Sequence, residues 1–385
     1  MSINVVFIAN VLCHHQVHIS DVLYSRFGKS FHFIQMREPI ERRVRLKMEG
    51  FQRDYCVNYF DKGKISEDSK KLLMEADAVI WGSTNYKSIK KYLRKDVLLL
   101  RYSERIFKPD YKKCSIFGKI KLNLSFKRLG YLSRHTNSYL LCASAFAYSD
   151  YLKFNAFKGR ALKWGYFPKF DLNKNDKKYF QNGVVHLCWC SRLIDWKHPE
   201  YVNYLSDFLT RNRINHIIHV LGDGPMKNIL NSSNPNIVLH GNVETDEVRK
   251  IYEESDIALF TSDFNEGWGA GVSEAMNHKC LAVVSDAMGC APFIVQNNVN
   301  GKIFKHDDIN EFCTCVLESI LNKEKTIEYA NAGYNTIFNY WRPEVAGNRL
   351  ADFIISKKHG NRVFFEDGPL SNANILTNGW FVRDE

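Results

Sequence analysis

Proline is scarce in this 385-residue chain, nine in all, and no stretch falls into low complexity. With 45% hydrophobic residues, these absences exclude a disordered or linker-like protein and describe a folded one. No uncharged apolar run approaches the ~20 residues that a bilayer-spanning helix needs. The opening MSINVVFIANVLCHH lacks a basic leader and a small-residue cleavage site, so it reads as a first strand and the chain is expected in the cytoplasm. Cysteine is plentiful, at ten, but zinc spacings are not: the close pairs Cys188/Cys190 and Cys313/Cys315 are C-x-C, without C-x2-C or H-x3-H. They sit in apolar runs such as HLCWC, where buried thiols belong, so neither disulfides nor a metal is expected.

The length exceeds the roughly 250–300 residues over which one core keeps growing, so two domains are expected. Strand and helix signals alternate, the pattern of parallel sheets wound with helices. The first half offers NVVFIA (4–9), FHFIQ (31–35), DAVIWG (77–82), DVLLL (96–100) and SYLLCAS (138–144), with a helix HISDVLYSRFG closing on Gly28. The second half repeats the rhythm with strands at 183–190, 215–222, 236–241, 256–260 and 280–285. Residues 167–182 are polar and without periodicity, and read as the linker between Rossmann-like domains at 1–166 and 183–340. Two open parallel sheets bind ligands at their carboxyl strand ends, so a ligand belongs in the cleft where two such domains face each other.

The chemistry-bearing residues follow strands. Arg192 and Lys197, in SRLIDWKHP after the strand at 183–190, offer a fork and a point charge suited to a diphosphate; the alternative is two solvated surface charges. Gly222 and Gly224, in GDGP, permit a tight turn beneath a ligand or serve as a strand-to-helix connector. The stretch FNEGWGAGVSEAMNHKC (264–280) places glycines between Glu266 and Glu274, a backbone that something approaches closely. Gly269, Ala270 and Gly271 open a helix whose free N–H groups suit a phosphate, with Glu274 in its first or second turn and Glu266 left in the loop.

These residues carry a resemblance. The E-x7-E of Glu266 and Glu274 with its glycines, preceded by S-R-L-x3-K and G-D-G-P and followed by NGKIF (300–304), is similar to the retaining glycosyltransferases of family 4, which have the α/β GT-B fold. The match covers roughly 183–305 and is weaker in the first half, where KWGYFP (163–168) fits the pattern. The resemblance implies a helix at 341–356 crossing back onto the first domain, with a tail at 357–385. It implies sugar transfer from a nucleotide-diphosphate sugar, with retention and without a metal or other cofactor. Arg192 and Lys197 would hold the diphosphate, Glu274 the ribose hydroxyls, Glu266 the donor sugar, and the backbone of Trp268 to Ala270 would line sugar and phosphate.

Two positions depart from that pattern. NVLCHHQVH puts His14 and His15 where small residues are usual, and these can donate to phosphate or acceptor or be structural. After DVLLLRY, where a histidine is usual, the chain has Ser103, Glu104 and Arg105; Glu104 substitutes in positioning donor or acceptor, or Glu104 and Arg105 pair with each other. Competing readings are another GT-B enzyme such as a nucleotide-sugar epimerase, and a non-catalytic binding module. Net charge is +11. From Tyr86 to His135 fifteen Lys or Arg stand against three Asp or Glu, and FGKIKLNLSFKRLGYL interleaves Lys119, Lys121, Lys127 and Arg128 with Phe117, Ile120, Leu122, Leu124, Phe126, Leu129 and Leu132. Without a recognition motif this excludes nucleic acid as the expected partner and points to an anionic membrane surface, at the inner face, beside a glycan or lipid-linked acceptor. The alternation from Ile120 to Phe126 leaves open a solvated face over a buried strand or helix.

Overall fold

The computed structural model describes residues 2–61, 64–82, 86–109, 115–172 and 177–382. The chain forms two units, residues 1–169 with 342–377, and 170–341 with 378–385. The first contains strands β1 (Val5–Ala9), β2 (Phe31–Gln35), β3 (Cys56–Asn58), β4 (Phe60–Asp61), β5 (Lys64–Ile65), β6 (Ala78–Trp81), β7 (Leu98–Ser103), β8 (Ser138–Cys142) and β9 (Ala161–Lys163). Seven of them make a sheet in the order β3-β2-β1-β6-β7-β8-β9, every pairing parallel, while β4 and β5 pair antiparallel beside it. All five residues of β1 are buried, as a strand covered on both faces requires, which is why its sequence is an apolar run rather than an alternation.

Helix Val17–Phe27 ends at Gly28, whose φ of 56° only glycine adopts freely. Helix Pro343–Lys358, in the same unit, packs on it: a Cβ at Gly347 would lie 2.7 Å from Val22 Cγ1, and Arg26 pairs with Asp352 at 2.6 Å. The helix starts at Pro343, fitted to a first-turn position because the missing N–H would have no partner there anyway, and a π turn over Ile337–Trp341 precedes it.

The second unit carries β10 (Val185–Cys190), β11 (His216–Leu221), β12 (Ile237–Gly241), β13 (Ile257–Phe260), β14 (Leu281–Ser285) and β15 (Lys302–Phe304), all parallel, ordered β12-β11-β10-β13-β14-β15. Its core joins Leu187 and Trp189 to Leu205 and Leu209 of helix Glu200–Arg211 and to Phe312 and Val316 of helix Ile309–Leu321. The winding reverses at β10: the chain proceeds outward to β12, then returns to the other side as β13. Loops after β10 and β13 therefore diverge at a topological switch point, where doubly wound sheets bind ligands.

The stretch 167–182 contributes to both cores: Phe167 packs on Trp164, with ring centroids 4.8 Å apart, and Phe180 joins the second core; residues 173–176 lie outside the described residues. The basic segment is helix Ile116–His135, begun by Ser115, whose Oγ accepts from the Gly118 N–H at 3.2 Å. Helical spacing overrides the short alternation. Phe126 stacks on Phe154 at 5.3 Å and Leu129 and Leu132 pack toward the sheet, while Ile120, Leu124, Lys127, Arg128 and Tyr131 share one exposed stripe. The side chains of Phe117 and Lys121 lie outside the described residues. Among the described residues no helix is long and apolar enough to cross a membrane, and the described cysteines are free thiols.

Candidate functional site

The loops after β10 and β13 are stitched together at the switch point. Trp189 Nε1 donates to Thr261 Oγ1 at 2.9 Å, Thr261 Oγ1 donates to the Lys197 carbonyl at 2.6 Å, and the Asp263 N–H donates to the Trp196 carbonyl at 3.0 Å. These bonds bring Lys197 and Glu266 into an ion pair, with side chains only 13% and 12% exposed. Ser262 Oγ also donates to Glu266, at 3.4 Å. An ammonium has three donors, so Lys197 can hold Glu266 and still face an anion. The Trp196 ring lies 4.7 Å from Lys197 Nζ and 5.8 Å from the Arg192 guanidinium, a shared aromatic platform for both cations. Arg192 itself is exposed and makes no ion pair among the described residues.

Gly222 and Gly224 support this loop from below. Gly222 has φ 131°, and a Cβ there would lie 1.8 Å from the Ser191 carbonyl oxygen; a Cβ at Gly224 would lie 2.2 Å from that of Leu193. The backbones interlock through Ser191 N–H to Leu221 O (2.9 Å), Leu193 N–H to Asp223 O (3.1 Å) and Met226 N–H to Leu193 O (3.0 Å). The space both glycines vacate is filled by the strand-end loop that carries Arg192.

Helix Ala270–Asn277 opens after Gly269, at φ 94°, with no side-chain cap, so its first N–H groups are left for a ligand. That φ favours glycine here; a Cβ would also meet Met288 Cε at 2.1 Å, the movable end of a flexible side chain. Trp268 turns its side chain into the core beside Trp341 and Phe293, at centroid distances of 5.8 and 6.2 Å, and its carbonyl accepts from Cys290 N–H at 2.9 Å. The whole residue is 0% exposed, so of the run Trp268 to Ala270 only the half-buried Gly269 and Ala270 present backbone to a ligand.

Glu274 lies in the second turn of that helix. Burial pushes its carboxyl up to about 7, against the opposing pull of Arg249, which is tied to Asp171 at 3.4 Å and Asp246 at 2.7 Å. Such a group is half-protonated near neutrality, whereas a vicinal diol donates best to the carboxylate. Affinity for a nucleotide sugar, whose diphosphate diester does not titrate near 7, is therefore expected to fall about tenfold from pH 8 to pH 6. Glu274→Ala should weaken binding at both pH values and flatten that profile. Calorimetry giving the same affinity for variant and parent would remove Glu274 from the site.

In the first unit, Glu104 follows β7 and is held by Lys108 Nζ at 2.8 Å and by the Tyr166 hydroxyl at 2.7 Å. Tyr166 stacks on His15 at 5.4 Å, and His15 contacts the His14 ring at 3.6 Å. Arg105 runs the other way, to Asp150 at 3.8 Å and over the Phe146 ring at 5.0 Å, rather than to Glu104 as one of the two alternatives had it. The His14 backbone N–H and Nδ1 both meet the Met48 carbonyl, at 3.0 and 3.2 Å. Burial, then the neighbouring His14, Arg43 and His18, hold His15 well below its ordinary pKa, so it is a neutral imidazole, and among the described residues its Nδ1 has no hydrogen-bond partner. His15 rather than His14 is the ring with spare capacity. Sequence reasoning passed over Trp196, although it lies between the two cations, and Tyr166, which KWGYFP contains.

Residues 186–322 match the family model for group 1 glycosyl transferases. By sequence, none of the curated proteins matches the chain. Among solved structures it is similar to Anabaena HepE in complex with UDP and glucose, at 12% identity over 92% of this chain and 100% of that one, TM-score 0.65. It is similar also to the lipopolysaccharide outer core galactosyltransferase WaaB (16%, 92% and 100%, TM-score 0.65) and to a Rickettsia africae glycosyltransferase (12%, 94% and 100%, TM-score 0.63). Two parallel-sheet α/β units and these likenesses give the chain the GT-B fold, with a group 1 glycosyltransferase domain over residues 186–322.

Proposed function

We propose that the protein is a metal-independent, retaining hexosyltransferase that moves a sugar from a nucleotide-diphosphate sugar to a glycan or lipid-linked saccharide. The observation that carries this reading is the gathering of an exposed Arg192, the Lys197–Glu266 pair and an uncapped helix N-terminus at one switch point. Fixed cations and N–H dipoles aimed at a diphosphate stabilise charge as the nucleotide departs. Glu266, positioned by Lys197, orients the donor sugar through its hydroxyls, and Glu274 takes the ribose diol. The leaving phosphate takes the acceptor proton, so no side-chain base is required. HepE is described with UDP and glucose and WaaB as acting on the lipopolysaccharide outer core, which favours a UDP-linked hexose and a surface-glycan acceptor here. The test ranks UDP, GDP, ADP and CMP by the thermal shift each produces, then follows the anomeric configuration of product from the matching nucleotide sugar by NMR. Hydrolysis or epimerisation of the donor without transfer, or inversion, would refute the reading.

The exposed stripe of helix Ile116–His135 supports docking beside a membrane-borne acceptor. Ile120 and Leu124 are each 51% exposed and Tyr131 62%, flanked by Lys127 and Arg128. Apolar side chains inserting beside basic residues, each worth about 1 kcal/mol near anionic headgroups, make a peripheral docking face at the cytoplasmic side of a membrane. The protein is expected to sediment with vesicles containing anionic lipid, to be released by salt, and to lose binding when Lys119, Lys121, Lys127 and Arg128 become Ser. Sedimentation indifferent to lipid charge and salt would remove the docking face and leave the donor site standing.

A further inference from the structure

Three histidines on neighbouring strands of the second unit stand apart from the switch-point site. His186 lies on β10, His219 on β11 and His240 on β12. Because His186 is level with Ile217, and His219 with Val238, the three run diagonally, two residues further along each successive strand. Strand alternation puts them on the face opposite the core, since Leu187, Trp189, Ile218, Val220, Ile237 and Leu239 point inward. That face is open toward the sheet edge: Val238, which shares it, is 37% exposed, and all three histidines are half-buried.

The rings meet nitrogen to nitrogen. His186 Nδ1 lies 3.2 Å from His219 Nε2, and His219 Nδ1 lies 3.0 Å from His240 Nε2. Two imidazole nitrogens this close share either a proton or a cation. Zinc–nitrogen bonds of about 2.0–2.1 Å at a tetrahedral angle set two ligand nitrogens about 3.3–3.4 Å apart, so either pair accommodates an ion with shifts of a few tenths of an ångström. Burial first, then the neighbouring His240 and His186, lower His219 to about 4, so it is neutral at physiological pH, the protonation state that a metal takes. An all-imidazole donor set suits Zn²⁺, Ni²⁺ and Cu²⁺ over Mg²⁺ and Ca²⁺.

We propose that His219 Nδ1 and His240 Nε2 bind a borderline divalent transition cation such as Zn²⁺, with water completing the shell and His186 holding the far nitrogen of His219. The ion clamps edge strand β12 to β11 and takes no part at the switch point. Metal-free protein titrated with Zn²⁺ by calorimetry should bind one ion per chain and gain several degrees in its thermal midpoint. His219→Ala and, at the edge strand, His240→Gln should each weaken binding at least about tenfold. Co²⁺ in place of Zn²⁺ should show ligand-field bands without a thiolate charge-transfer band. Three outcomes would each overturn the proposal and leave only a hydrogen-bonded histidine chain: no ion bound by the parent, equal affinity in His240→Gln, or a thiolate band in the Co²⁺ spectrum. Both variants are checked for the parent's circular dichroism, and His240→Gln, on the open face, serves if His219→Ala fails to fold.

Discussion

Arg192→Ala and Lys197→Ala are each expected to lower turnover at least about a hundredfold, while EDTA leaves it unchanged. A hundredfold loss is about 2.7 kcal/mol of transition-state stabilisation, the size that removal of one preorganised donor typically costs. The two substitutions should differ in a second respect. Arg192 is exposed and unpaired among the described residues, so its loss should fall on turnover with the thermal midpoint nearly intact. Lys197 neutralises Glu266 where both side chains are nearly buried, and its removal strands a carboxylate in low dielectric, so the midpoint should drop as well. Lys197→Arg keeps the charge and separates the two effects. A metal at the histidine diagonal makes EDTA act on the midpoint alone. Turnover that collapses in EDTA and returns with Mg²⁺ or Mn²⁺ would overturn the account of two fixed cations.

Gly222→Ala is expected to be the most damaging single methyl in the second unit. The added carbon would sit 1.8 Å from the Ser191 carbonyl oxygen, at a φ of 131° that L side chains rarely adopt. Neither partner yields cheaply: Ser191 follows β10 and Gly222 follows β11, and the Gly222 N–H donates to the Gly241 carbonyl at 2.7 Å across to β12. Overpacking costs roughly 1–3 kcal/mol and a strained backbone about as much again, so a loss of about 3 kcal/mol or more is expected in chemical denaturation. Relief comes only by displacing Ser191–Leu193, which moves Arg192, so nucleotide affinity should fall with stability. An unchanged denaturation midpoint would show that the loop has room.

Sequence reasoning located strands where burial on both faces demands apolar runs, as in VVFIA and IALF, and the helix after Gly269, where a left-handed residue precedes a good helix former. It failed where the deciding contact is remote. Short strands such as Cys56–Asn58 and Ala161–Lys163 have no periodicity to read and exist by pairing with a sheet already formed. Nothing local says that Lys197 grips Glu266, 69 residues on, or that Arg105 prefers Asp150 to the adjacent Glu104. The alternation over Ile120–Phe126 spans too few residues to separate a strand from a helix, and Ser115 as cap decided it. The GDGP glycines were visible as a demand for space, but only the fold shows that the claimant is the neighbouring backbone.

Helix Pro343–Lys358, which packs on helix Val17–Phe27, sets a schedule for synthesis. At roughly 5–20 residues per second, about 10–40 s separate completion of residue 169 from emergence of that helix. Through this interval Val22, which Gly347 later meets, has no cover, while the second unit, begun later, already has residues 170–341 with which to close its own sheet. The first unit is thus closed only after most of the second has been made, and its waiting helix is the surface a holding chaperone would find.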